Sequence, residues 1–160
     1  ATQLSARDGI EQWADRHCLA LLRPPSVTNL LRDDLAELAL LPQLAAATDF
    51  DVLTSIGPFT LPAGADPLGL AWAIAGSQMG NRAILVRMLK AAERAGHAAP
   101  LPFRFLADPR MTGFWHRLLP RLQQPVSPSE AEPALAAARA VFARFEQAFS
   151  GDMDRCRQAA

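Results

Sequence analysis

The chain has 160 residues, half of them hydrophobic, which suits one domain with one sizeable core and excludes disordered, collagen-like and disulfide-scaffold classes. Lys plus Arg and Asp plus Glu each number 16, so the chain has no global basic field, and neither a nucleic acid nor a membrane is expected as partner. Alanine and leucine favour helix and strand formers are scattered, so residues 1–160 read as a single all-α domain of about five helices. No stretch reaches the ~18 apolar residues of a spanning helix, and no basic-then-apolar leader opens the chain, which reads as cytoplasmic. Cys18 and Cys156 lack any metal-knuckle or C-x-x-C spacing and read as idle thiols in a reducing compartment.

In chain order, Ser5 is the candidate cap of a first helix with Ile10, Trp13, Ala14, His17 and Leu21 on one face, stopped by Pro24 and Pro25. A second helix starts at Ser26 or Thr28, with Leu31, Leu35, Leu38 and Leu41 inward and Arg32, Asp33 and Glu37 outward, until Pro42 bends or ends it. Residues 49–67 carry glycine and proline too densely for regular structure, apart from a short stretch at 51–56. Pro67 suits the first turn of a long central helix over 67–94, with Leu68, Trp72, Ala75, Met79, Ile84 and Met88 on its inner side. A further helix spans 110–124 on an apolar line of Phe114, Leu118 and Leu122, with Pro120 predicting a kink or an early stop. The last begins at a capping box of Ser129 and Glu132 with Pro133 in its first turn. Its inner stripe reads Leu135, Phe142, Phe145 and Phe149, and Gly151 is its candidate C-cap.

Within the central helix, Gly76 and Gly80 lie four residues apart on one face, each costing roughly 1 kcal/mol relative to Ala. A bare backbone strip of this kind serves either a flat ligand lying against the helix or close packing of a neighbouring helix. By its position alone His17 reads as a core or surface histidine. His116 reads as half-exposed and His97 as a loop residue. Glu93 and His97 alone cannot fill a di-iron site. No phosphate loop, dinucleotide fingerprint, nucleophile elbow or His-Glu-x-x-His motif is present.

The run LGLAWAIAGSQMGNRAILVRML, residues 68–89, resembles the distal helix of bacterial heme oxygenases, with its Gly-Ser-x-x-Gly-x-Arg motif. The segments that follow, FRFLAD, GFWHRLLPRL and SPSEAEPALAAARAVFARFEQAF, resemble that family in their order, and the likeness covers about residues 5–150. It implies a heme-oxygenase-like fold and oxidative opening of heme to biliverdin, carbon monoxide and iron, with an electron donor as partner. It further implies heme contacts from Gly76, Gly80, Asn81 and Arg82, Ser77 in a distal water network, and Phe142 and Phe145 as pocket wall or core. Arg82, Arg87 and Arg139 would meet heme propionates or form a solvated face. The family's first helix, which carries the proximal histidine, has no counterpart here, and LSARDGIEQWADRH looks like its second. His17 is then the one candidate iron ligand in the early helices. The same departure implies a degenerate, non-catalytic module that binds heme, a bilin, a protein partner or a second copy through the surface the missing helix would cover.

Overall fold

The computed structural model describes residues 2–40, 57–94 and 102–158. Leu41, Pro42, the 51–56 stretch, His97 and the side chain of Cys156 lie outside the described residues. Among the described residues there are seven helices and no strand: α1 Thr2–His17, α2 Thr28–Ala39, α3 Pro67–Met79, α4 Asn81–Arg94, α5 Arg104–Ala107, α6 Arg110–Leu122 and α7 Pro128–Gln158. The all-α class is as the composition predicts.

Helix α3 is the centre. Gly69, Leu70, Ala71, Ala73, Ile74 and Ala75 are all buried, so it is apolar on most of its circumference and needs neighbours on several sides. It packs on α7 and α6, α1 lies against α7 and α2, and α5 bridges α2 to α4. The core joins Ile10 and Ala14 of α1 to Leu70 and Ile74, and these to Phe105, Phe114, Leu118 and Val141. The closest approach is at Gly69, where a side-chain carbon would overlap the carbonyl group of Ala134 and stand 3.0 Å from its Cα. Only a residue without a side chain lets α3 and α7 meet backbone to backbone there.

Helix ends follow local chemistry. Asp66 caps α3 by accepting from the Leu68 N–H at 2.8 Å, with Pro67 in the first turn as expected. The capping box of α7 is Ser127 with Glu130, two residues earlier than Ser129 and Glu132: the Ser127 N–H donates to Glu130 at 2.8 Å, and the Glu130 N–H donates back to Ser127 Oγ. Pro128 takes the first turn, which leaves Pro133 inside the helix.

Other expectations need correction. The central helix is two helices, interrupted at Gly80, where no side chain resists the break. α1 starts at Thr2, before Ser5, and ends at His17. α7 runs through Gly151 to Gln158, and α6 continues two residues past Pro120 to Leu122. The inner faces are rotated from those read: Trp72, Met79, Ile84 and Met88 are half-exposed, as are Leu135, Phe142 and Phe149, while α7 buries Ala137, Ala138, Val141, Arg144 and Ala148. A helix this rich in alanine buries its small side chains where backbones approach and leaves the large ones at the rim. His17 and Leu21 are exposed rather than on the inner face of α1. Cys18 is buried, and burial pushes its thiol up, away from the reactive thiolate.

Candidate functional groove

A line of buried polar groups runs through the bundle. Glu11 of α1 accepts from Ser26 Oγ at 2.7 Å, from Thr28 Oγ1 at 2.6 Å and from the backbone N–H groups of Val27 and Thr28 at 3.2 Å. Val27, the residue at the cap of α2, makes no side-chain cap bond, so the orphan donors of that helix are satisfied by a carboxylate from another helix. Asp34 of α2 does the same for α5, accepting from the Arg104 and Phe105 N–H groups at 3.1 and 2.9 Å.

Arg7 connects the two. Its guanidinium lies 3.6 Å from Glu11, donates to Gln78 Oε1 at 2.7 Å and stands over the Phe105 ring at 5.1 Å. Gln78 in turn donates to the Phe105 carbonyl at 3.1 Å. Burial pulls the Arg7 pKa down, and Glu11 pushes it back up. α1, α3 and α5 are thereby tied at one point, and Gln78 is the side chain that reaches from this tie to the surface groove.

That groove, of about 510 Å³, lies between α4 and the start of α6. Met79, Leu85, Val86, Leu106 and Met111 line it with apolar surface, and methionine adapts to ligands of irregular shape. Arg82, exposed, and Asp108 supply charge. Asp108 is held by Arg110, whose NH2 stands 2.6 Å from its carboxylate and whose backbone N–H donates to it at 3.0 Å. Burial pushes the Asp108 carboxyl up, but the Arg110 side chain, backbone N–H and charge outweigh that and hold it below the usual carboxylate range. With Asp108 already paired, Arg82 sets the sign of the rim.

The residues expected at a heme site are not gathered in one place. Gly76 is half-buried and its bare face meets Trp115, whose ring would stand 3.8 Å from a side-chain carbon at that position. Ser77 is exposed and donates back to the Ile74 carbonyl of its own helix at 2.8 Å, and Gly80 is exposed. Asn81 is buried, and its Nδ2 has no hydrogen-bond partner among the described residues. Of the motif and its neighbours, Gln78, Met79 and Arg82 enter the groove. His17 is exposed at the end of α1 against Trp13, ring centroids 4.9 Å apart, and His116 is exposed on α6. Phe145 packs on the core, while Phe142 stands outside it, edge-on to Trp72 at 6.2 Å. Arg87 is exposed, and Arg139 is paired with Glu132 at 2.7 Å.

Sequence reasoning missed Arg7, Glu11, Asp34 and Gln78. A signal was present: Arg7 and Glu11 are spaced four apart on the side of α1 that also carries Ile10 and Ala14, where charge is out of place. Among the described residues no group of three or more His, Cys, Asp or Glu side chains could hold a metal ion, and no helix is long and apolar enough to cross a membrane. Compared with protein-family models, curated proteins and solved structures, the chain matches none.

Proposed function

We propose that the chain is a non-catalytic binding module of the heme-oxygenase-like kind, and that its ligand seat is the groove between α4 and α6. The observation that carries this reading is the split of the Gly-Ser-x-x-Gly-x-Arg segment. Gln78, Met79 and Arg82 line a methionine-rich groove, whereas the bare face of Gly76 is met by Trp115.

Heme held for cleavage needs an axial ligand across from the glycine strip, usually an imidazole. His17 stacks on Trp13 in solvent and Trp115 occupies the approach to Gly76, so these residues do not fit that group in that place. What the groove offers instead is apolar area with one cationic group at its rim, which suits an apolar molecule bearing a carboxylate. A bilin or heme bound edge-in by its propionates is the first ligand class to try, with Arg82 as its partner.

The test is a titration of the whole chain with biliverdin and separately with hemin, followed by visible absorption, then ascorbate in air. The expected result is a saturable one-to-one change that Arg82→Glu weakens and that ascorbate does not convert. No saturable change with either compound would sink the tetrapyrrole assignment. A Soret band that decays into bilin absorption would overturn the non-catalytic reading and make His17 the ligand to replace.

A further inference from the structure

Among the described residues of α7 the large apolar side chains that the fold leaves uncovered are spaced at seven: Leu135, Phe142 and Phe149, with 45, 45 and 52% of their surfaces exposed. Trp72 of α3, 40% exposed, stands against the middle one. A seven-residue repeat on one face is the pattern by which one helix seats a second along its length. At about 100° per residue this seam lies roughly 100° round the helix from the buried side that carries Val141 and Arg144. A helix laid along it therefore passes beside the bundle without meeting the core of its own chain.

We infer that a second copy of this chain packs on that seam, antiparallel, with the two-fold axis at Phe142. Three features make the surface complementary to itself. An axis at Phe142 places Phe149 of one copy opposite Leu135 of the other, since each is seven residues from the axis. Beside Leu135 lies a groove of about 410 Å³ lined by Trp72, Val126, Ala131 and Ala138, which gives the incoming Phe149 ring a seat. The exposed residues four after Leu135 and four after Phe142 are Arg139 and Glu146, on the flank away from the core. In an antiparallel pair these flanks face each other, so Arg139 of each copy meets Glu146 of the other. Arg139, which within one chain reaches back to Glu132, then sits between two carboxylates. An interface of this isologous kind needs each contact made twice, and the aromatic, apolar and charged elements all satisfy that. Trp72 and Phe142 from both copies would form its centre, where aromatic anchors carry most binding energy.

The experiment is sedimentation velocity on the full chain over a hundredfold range of concentration. A dimer is expected, and Phe142→Asp is expected to weaken it at least about a hundredfold with an unchanged helical circular dichroism spectrum, since Phe142 lies outside the core. Arg139→Glu or Glu146→Arg alone should weaken it about tenfold, and the double variant should restore it. Phe142→Cys in a Cys156→Ser background should form an intermolecular disulfide on mild oxidation, because a residue on a two-fold axis meets its own copy. A monomer at every concentration overturns the inference. So does a dimer that Phe142→Asp leaves intact, or charge variants whose combination fails to rescue.

Discussion

Replacing Gly69 by alanine tests whether the bundle is held at the α3–α7 crossing. The added carbon would lie 2.6 Å from the carbonyl carbon of Ala134 and 3.0 Å from its Cα, where ordinary contact begins at 3.4 Å. Both sides of the clash are backbone, so no rotamer relieves it, and the helices must part by something on the order of 1 Å in a core packed at crystal density. Overpacking of this kind costs about 1–3 kcal/mol and occasionally more. With backbone on both sides, about 3 kcal/mol or more is expected, even after a helix-propensity gain of up to ~1 kcal/mol. For a chain of this size that lowers Tm by roughly 6–12 °C. Gly76 and Gly80 supply the opposite sign. A carbon at Gly76 stands 3.8 Å from Trp115 and one at Gly80 stands 3.6 Å from the Ser77 carbonyl oxygen, both ordinary contacts. Gly76→Ala and Gly80→Ala are thus expected to stabilise by about 0.5–1 kcal/mol each. Urea unfolding followed by circular dichroism at 222 nm reads all three. A neutral Gly69→Ala would refute the close packing assigned to Gly69, and a loss of more than about 1 kcal/mol in Gly76→Ala or Gly80→Ala would refute the open space assigned to those two.

Glu11→Ala leaves Arg7 buried without its carboxylate and strips the α2 start of its acceptor, so a loss of about 3–5 kcal/mol is expected in the same denaturation assay. Ser127→Ala removes half of the α7 capping box at an exposed end and should cost about 1 kcal/mol. Asp108 has a folded pKa below its unfolded one, so it contributes stability above the ordinary carboxylate pKa, which is lost as pH falls toward the folded value. Asp108→Asn should therefore flatten the fall of Tm as pH drops through the ordinary carboxylate range and below it, and an unchanged slope would show that the Arg110 pairing contributes nothing. On the proposed reading of the groove as a tetrapyrrole seat, Val86→Asp is expected to weaken any biliverdin binding without lowering Tm, since Val86 is half-exposed and packs no core.

Helix content, helix order and the α3 start were legible because they depend on local chemistry. Asp66 and Pro67 specify a first turn, and a chain rich in alanine and leucine without strand runs has few alternatives. The faces were not legible, because in α7 apolar side chains cover more of the circumference than one fold can bury. Period alone cannot choose between the stripe through Phe142 and the one through Val141, and packing against α3 at Gly69 and Ala134 decides it. The box at Ser127 was hidden for a local reason: two overlapping serine-to-acid spacings stand two residues apart, and the one followed directly by proline won. Of the candidate site, the spacing of Gly76 and Gly80 drew attention to the segment 75–82, from which Gln78, Met79 and Arg82 line the groove. Which of its residues meet solvent, Trp115 or Arg7 depended on contacts from α1, α5 and α6, and no spacing within α3 encodes those.

The interruption at Gly80 divides the molecule energetically as well as geometrically. Beyond it, among the described residues, α4 packs mainly on α3 and on the single turn of α5, and Asn81 is its one buried residue. With so little of α4 buried, its amides should exchange with solvent through an opening that leaves α1, α3, α6 and α7 intact. One wall of the groove, Arg82, Leu85 and Val86, is built on this arm, and the rest on α3, α5 and the start of α6. A ligand lodged between Arg82, Val86 and Met111 would join them, and its affinity would appear as slowed exchange along α4 before any change in the stability of the core.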